Sequence, residues 1–517
     1  MSCPIGRVSR SLWLVAIAVS MAGFVAVPAA AADETCDGRA ATIVGTPGDD
    51  FLVGTSGRDV IVGLGGDDTI LGRGGKDVLC GNSGKDELDG GGSADVLIGG
   101  AGRDTLIGGA GDDELRGGGA TDVAAFGSAA GAVTVDLAAG TAAGQGTDSI
   151  VGVESVDGSD FDDTISGDSE GNRLRGKAGN DDIVGRGGPD SLQGGTGDDV
   201  LSGGGGRDGL DGGNGFDTLL GGGSADAISG GKGNDTINGQ GGADVIEGGG
   251  GSDIMSGGTG GDTISGGGGD DAIFGNTGND TITSGGGLDF VAPGPGDDSA
   301  KGGKGDEDEL SFAGAGQGVT VDLAAGTATG EGDDVVDGFE WLSGSVHDDT
   351  LDGDGRDNSI FGGDGDDELG GAGGNDYLVP GRGDDVVNGG VAFDRVSYFD
   401  SPTPVNINFG SDRATGAGLD TLISIEDAEG SNFDDIITGD DAVAGNFLFG
   451  LDGDDQIAGF GGNDFLYGGF GTDELDGGPG TDVCAEGESY VSCEDIGAAA
   501  PAGRGAPAWL AVLARRA

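Results

Sequence analysis

A large aliphatic residue recurs every nine positions along much of the chain: Leu52, Ile61, Ile70, Leu79, Leu88, Leu97, Leu106 and Leu115. Two positions before each stands an acid, in the run Asp50, Asp59, Asp68, Asp77, Asp86, Asp95, Asp104, Asp113, continued at Asp122. Gly lies two positions before most of these, as at Gly48, Gly57, Gly66, Gly75 and Gly84. The unit is G-G-x-G-x-D-x-U-x, with U a large aliphatic, and Gly99 to Ile107 is a clean copy. The same phase runs from Asp163 to Asp298 with Asn172 in one slot, then through two shorter blocks, Asp349 to Asp394 and Asp435 to Asp482.

A period of nine excludes collagen, whose Gly period is three. Gly supplies positive φ, so six residues can close a tight turn. The three residues x-U-x then suffice for a short strand whose central side chain points inward. Two units make a coil of 18 residues, and coils stacked about 4.8 Å apart build parallel sheets on both sides. The expected fold class is all-β, a parallel β-roll or β-helix solenoid, with a thin ladder of U residues as its core. Asp at the sixth position then meets the Asp one coil on, Asp68 near Asp86 and Asp86 near Asp104. Stacked carboxylates repel unless a cation lies between them. Calcium suits the place, because it takes six to eight oxygens in loose geometry and Gly turns expose carbonyls. Magnesium prefers a tighter octahedron, and zinc finds no ligand set in a chain with one His.

Composition changes the picture in two ways. The chain has 517 residues, 125 of them Gly, with 92 Asp plus Glu against 24 Lys plus Arg. A formal charge of -68 excludes nucleic acid as a partner, since phosphates are repelled. The same charge opposes compaction without counter-ions. At the N-terminus, Arg7 and Arg10, the apolar run Leu12 to Val27 and the small residues Pro28 to Ala32 predict a secretory signal over residues 1–32. Cleavage near Asp33 would remove Cys3, and no stable membrane span is expected in the rest. Cys36, Cys80, Cys484 and Cys493 remain, an even count that suggests disulfides in an exported chain. Three connectivities are open, and proximity favours Cys36–Cys80 and Cys484–Cys493. The first pair would stand about two coils, roughly 10 Å, apart along the axis, so the N-terminal segment must fold back.

Over most of residues 45–485 these motifs make the sequence resemble the RTX, or haemolysin-type, calcium-binding repeat family, the nonapeptide repeat known to bind calcium in a β-helix. The resemblance implies calcium ions, several of them, held between the loops of successive coils by sixth-position carboxylates and loop carbonyls. Carried over, the ligands would be Asp59, Asp68, Asp77, Asp86, Asp104, Asp113, Asp199, Asp208, Asp235, Asp244, Asp271, Asp280, Asp376, Asp385, Asp464 and Asp473. Ser93, Ala120, Ser224 and Ala392 replace the second loop Gly, so strained or weak sites are expected there. Family members that are toxins or proteases carry a separate active domain, and none is evident in this sequence.

Three inserts interrupt the phase. Val133 to Ala142 recurs identically as Val319 to Ala328, and a looser copy starts at Val405-Asn406-Ile407. From that Val to Asp163, Asp349 or Asp435 is 30 residues each time. The alternation Val-x-Val-x-Leu predicts a strand, and the inserts are read as wider coils that continue the stack. A sharper reading makes them a ligand or partner site around Phe339 and Trp341. The expected organisation is a signal over 1–32, a cap and first block over 33–125, an insert over 126–157, and a second block over 158–300. A second insert at 301–343, a third block at 344–396, a third insert at 397–429, a fourth block with cap at 430–494 and a disordered tail at 495–517 follow. The function expected is a secreted, calcium-folded rod with a structural or adhesion role, and with a cell-surface or matrix polysaccharide or protein as partner. No enzyme is expected: the lone His347 sits in a repeat loop, and no zinc helix motif occurs. The alternative is a calcium-stabilised, carbohydrate-active β-helix enzyme.

Overall fold

In the computed structural model, residues 34–304, 307–441, 445–487, 489–493 and 495–496 are described. The signal segment 1–32, its cleavage point and the tail from 497 lie outside the described residues. The chain winds into a parallel β-solenoid of about 25 turns, as the nine-residue period predicts. Its described residues contain one short 3-10 turn, Phe409–Ser411, and otherwise only strands.

Successive units alternate between two sheets. Val60–Gly65, Val78–Ser83 and Val96–Ala101 pair in parallel in the first sheet, and Thr69–Leu71, Glu87–Gly92 and Thr105–Ala110 in the second. The register is a strict 18 residues, with Leu106 beside Leu88 and Thr105 beside Glu87. Strands reach six residues instead of the expected three. Pairing runs on into the loop, where Gly109 lies beside Gly91 and Ala110 beside Gly92. The glycines permit this, because backbone meets backbone there. A Cβ on Gly109 would run into the Gly91 carbonyl below it.

The U residues form one continuous apolar core from Ile61 to Cys484, most of them fully buried. Each buried Leu or Ile contributes about 1.5–3 kcal/mol, and one per nine residues makes a narrow core. The inserts thicken it. Each insert places a large residue seven positions before the first Val, namely Phe126, Phe312 and Tyr398, and another 20 after it, namely Val153, Phe339 and Ile425, all buried.

In each insert the chain makes an antiparallel hairpin inside a sheet that is otherwise parallel. Thr134–Asp136 pairs antiparallel with Thr141–Ala143, which pairs antiparallel with Thr147–Val151. The outer members join the stack in parallel, Thr147–Val151 on Glu114–Gly119 and Thr134–Asp136 on Thr164–Ser166. Three strands stand where the alternation calls for one, so that sheet is locally longer. The first hairpin lies in the first sheet, and the other two, Thr320–Asp322 with Thr327–Thr329 and Asn406–Asn408 with Arg413–Thr415, lie in the second. In each case the hairpin occupies the sheet that the alternation reaches next.

The N-terminal segment folds back as its cysteine demands. Thr35–Cys36 and Arg39–Ala40 form a hairpin, and Cys36 is bonded to Cys80 with Cα atoms 5.8 Å apart. This hairpin covers Val60, Val62 and Val78, which form a small second apolar cluster with the two cysteines. At the other end Cys484 is bonded to Cys493. Asp495–Ile496 still pairs with Val483–Ala485, so the strand ladder passes the residue at which the tail was expected to begin.

Candidate metal sites in the stacked aspartate loops

Asp at the sixth position turns back over its own loop. Its Oδ1 accepts the backbone N–H of the Asp one coil earlier: Asp68 N donates to Asp86 Oδ1 at 2.9 Å, and Asp86 N to Asp104 Oδ1 at 2.9 Å. The same bond links Asp181 to Asp199, Asp190 to Asp208, Asp217 to Asp235 and Asp226 to Asp244, each at 2.8–2.9 Å. The acids are buried, most at 1–4 % exposure, although their charge would favour water.

The second oxygen is the informative one. Oδ2 of Asp68, Asp77, Asp86, Asp104, Asp113, Asp199, Asp208, Asp235, Asp244, Asp271, Asp280, Asp376, Asp385 and Asp464 is buried without a hydrogen-bond donor. A buried carboxylate oxygen left so costs several kcal/mol unless something positive meets it. The residues around it fit a cation. A methyl group built on Gly99, the first residue of its loop, would collide with Asp104 Oδ2 and lie 2.8 Å from the carbonyl oxygen of Gly117 in the next coil. Carboxylate and carbonyl oxygens thus converge over a glycine that leaves room for them. No group of three or more His, Cys, Asp or Glu side chains suited to one ion occurs among the described residues. A site here would take few carboxylates and draw its other oxygens from the backbone, which calcium tolerates.

Burial sets the electrostatics. It raises the Asp86, Asp199, Asp244, Asp280 and Asp464 carboxyls to about 6 and those of Asp271 and Asp376 to about 7. Asp385 rises to about 8, first by burial, with the facing charges of Asp420 and Asp367 adding to it. Burial raises Asp68, Asp77, Asp104, Asp113, Asp208 and Asp235 as well. In each case the backbone N–H on Oδ1 opposes the rise without cancelling it.

One residue of the expected ligand set stands apart. Asp59 Oδ2 accepts from Thr55 N at 2.6 Å and from Thr55 Oγ1 at 2.9 Å, so its loop is already closed. Asp473 Oδ1 accepts from Asp455 N like the others, beside the C-terminal cap. The expected set also left out equivalent acids. Asp95, Asp122, Asp181, Asp190, Asp217, Asp226, Asp253, Asp262, Asp289, Asp298, Asp367, Asp394 and Asp455 hold the same phase and the same donor-less Oδ2. Asp334 does so from within an insert, where only its place before Val335-Val336 signals it.

The family model described as RTX calcium-binding nonapeptide repeat (4 copies) matches residues 44–79, 53–88, 89–124, 157–192, 184–219, 220–255, 256–291, 343–378 and 449–484, together more than half of the chain. This chain belongs to the RTX calcium-binding repeat family. No curated protein matches it. In RTX repeats generally the loops bind calcium and the strands form the scaffold. Ser93, Ala120, Ser224 and Ala392 carry φ of +91°, +83°, +95° and +99° in RTX loops, a conformation that L residues adopt with strain. His347 is exposed at the fourth position of its loop, and its backbone N–H donates to Ser345 Oγ at 3.1 Å. Phe339 lies in the core at 1 % exposure and Trp341 is buried at 6 %, so neither presents a face to a ligand.

Proposed function

We propose that this RTX protein is secreted and folds on meeting calcium outside the cell into a rigid rod with a structural or adhesion role. The carrying observation is the column of buried Asp Oδ2 atoms without donors, repeated at nine-residue intervals on two sheets. Bound calcium supplies the positive charge that these oxygens lack. The chain's own part is to hold each carboxylate by an N–H on Oδ1, to keep a glycine beneath Oδ2, and to stack the loops at a fixed interval.

Export is supported by the basic start, the apolar run and the small-residue segment of residues 1–32, and by two disulfides, which persist in oxidising compartments. The medium outside cells holds calcium in the range that weak extracellular modules use. The high negative charge points to a partner met through calcium or through polar surfaces, such as a cell-surface or matrix polysaccharide or protein. Among the described residues no helix is long and apolar enough to cross a membrane.

Circular dichroism during a calcium titration tests the reading. The full chain in excess chelator should have much less β signal than in calcium and gain the rest cooperatively as calcium rises to millimolar. A spectrum equally β-rich in chelator would overturn it.

A further inference from the structure

The loops fall into two kinds, and the second residue of each loop separates them. In loops with a donor-less Oδ2 the second residue has positive φ, whether it is Gly, as Gly100 at +116°, or not, as Leu64 at +85°, Arg73 at +74° and Asn82 at +74°. In the other kind the second residue is Ser, Thr or Asp and has no positive φ. Its side-chain oxygen accepts the N–H two residues on: Ser159 from Phe161 at 3.2 Å, Asp168 from Glu170 at 2.8 Å, Asp354 from Arg356 at 2.8 Å. That turn aims its own backbone N–H at the sixth residue. Ser159 N donates to Asp163 Oδ2, Ser345 N to Asp349 Oδ2 and Thr55 N to Asp59 Oδ2. The N–H stands on the oxygen that the open loops leave bare.

The closed loops come in adjacent pairs, one full coil each, and they open every block. They are the loops of Asp50 and Asp59, Asp163 and Asn172, Asp349 and Asn358, and Asp435 and Asn446. In three of the four coils the second acid is replaced by Asn. Its Oδ1 accepts the loop N–H, and its Nδ2 donates to a carbonyl, Asn172 to Glu154 O, Asn358 to Glu340 O and Asn446 to Glu426 O at 2.7 Å. An amide NH₂ turned to that carbonyl leaves no place for a cation. Each of these three coils lies against a hairpin insert with its enlarged core, and the first lies beside the Cys36–Cys80 cap.

We infer that these four coils bind no calcium and stand folded without it, so that each block carries a ready-made first coil on which calcium winds the open loops that follow. Ser159, Ser345 and Ser431, with Thr46 and Thr55, act as loop closers in place of the ion, and Asp168, Asp354 and Asp440 do so opposite Asn. The inference rests on the calcium reading of the open loops. It adds a direction, from the insert or cap of each block towards its C-terminal end.

Hydrogen exchange of the full-length protein, read by peptide mass in excess chelator and again in calcium, tests it. The expected result in chelator is slow exchange in peptides covering 126–175, 312–360 and 398–441, with 181–300 exchanging as an unfolded chain. Calcium should then protect 181–300. Complete exchange throughout in chelator, with full protection in calcium, would overturn the inference and leave the calcium reading standing. Protection of 181–300 in chelator equal to that in calcium would overturn the calcium reading itself.

Discussion

Val133 N donates to Asp163 Oδ1 at 2.8 Å, although the two residues are 30 apart in sequence. The bond recurs between Val319 and Asp349 and between Val405 and Asp435, at 2.7 Å each. It is the 18-residue Asp bond of the regular coils with a hairpin spliced into it. The acid is also held by Ser159 Oγ, Ser345 Oγ or Ser431 Oγ, so the junction between hairpin and coil is closed by hydrogen bonds alone.

Replacing Ser345 by Ala removes two hydrogen bonds, one to Asp349 Oδ1 and one from His347 N. The expected cost is about 1 kcal/mol per bond, felt around residues 319–350 and equal with and without calcium. Local hydrogen exchange should quicken there, while the number of calcium ions bound per chain, counted by equilibrium dialysis, stays unchanged.

Asp104→Asn should change sign with calcium. The amide keeps an acceptor for Asp86 N but carries no charge. In chelator the variant should show more β signal than the parent, because a buried oxygen without a donor no longer bears charge. In calcium the midpoint of folding should move to higher calcium concentration. A variant harmed equally in both conditions would speak for a structural role alone.

Protons should stand in for calcium. Folding lifts Asp86 from the usual value of 3.8 to about 6, Asp376 to about 7 and Asp385 to about 8, with burial as the main cause. A raised carboxyl takes up a proton on folding. Its contribution to calcium-free stability is therefore complete below about 4 and lost as pH rises through about 6–8. The chelated protein should gain β structure as pH falls from 8 towards 4.5, whereas calcium affinity should fall over the same range. A β signal in chelator that is flat across that range would contradict this.

Glycines at different positions of the repeat loop should differ sharply. Gly102 has φ of +143°, and a methyl group there would overlap the Gly84 carbonyl of the coil below. Gly102→Ala should cost about 1–3 kcal/mol or more. Gly268 has no positive φ, and nothing lies within 4 Å of an added Cβ. Gly268→Ala should stay within about 0.5 kcal/mol of the parent. Midpoints of urea unfolding in saturating calcium compare the two.

Much of this was legible in the nine-residue phase. The period set the coil length, the U residues marked the core from Ile61 onward, and the acids that meet at 18 residues followed from it. The fold-back at Cys36 followed from the distance a disulfide can span. Strand length was underestimated, because pairing between stacked glycines adds to the x-U-x segment. The closed loops were less visible. Asp59 and Asp68 share one sequence phase, and Thr55 against Leu64 at the second loop position separates them, through the sign of φ. The inserts hid a second signal: Glu154, Glu340 and Glu426 take the sixth-position role, each accepting the N–H of Asp122, Asp308 or Asp394 with its longer side chain.

The most direct measurement is anomalous diffraction from crystals grown in calcium, at a wavelength where calcium scatters. The account predicts peaks beside the Oδ2 atoms of the open loops, such as those of Asp86, Asp104 and Asp244, and none beside Asp163, Asp349 or Asn358. Open loops without peaks at saturating calcium would contradict it.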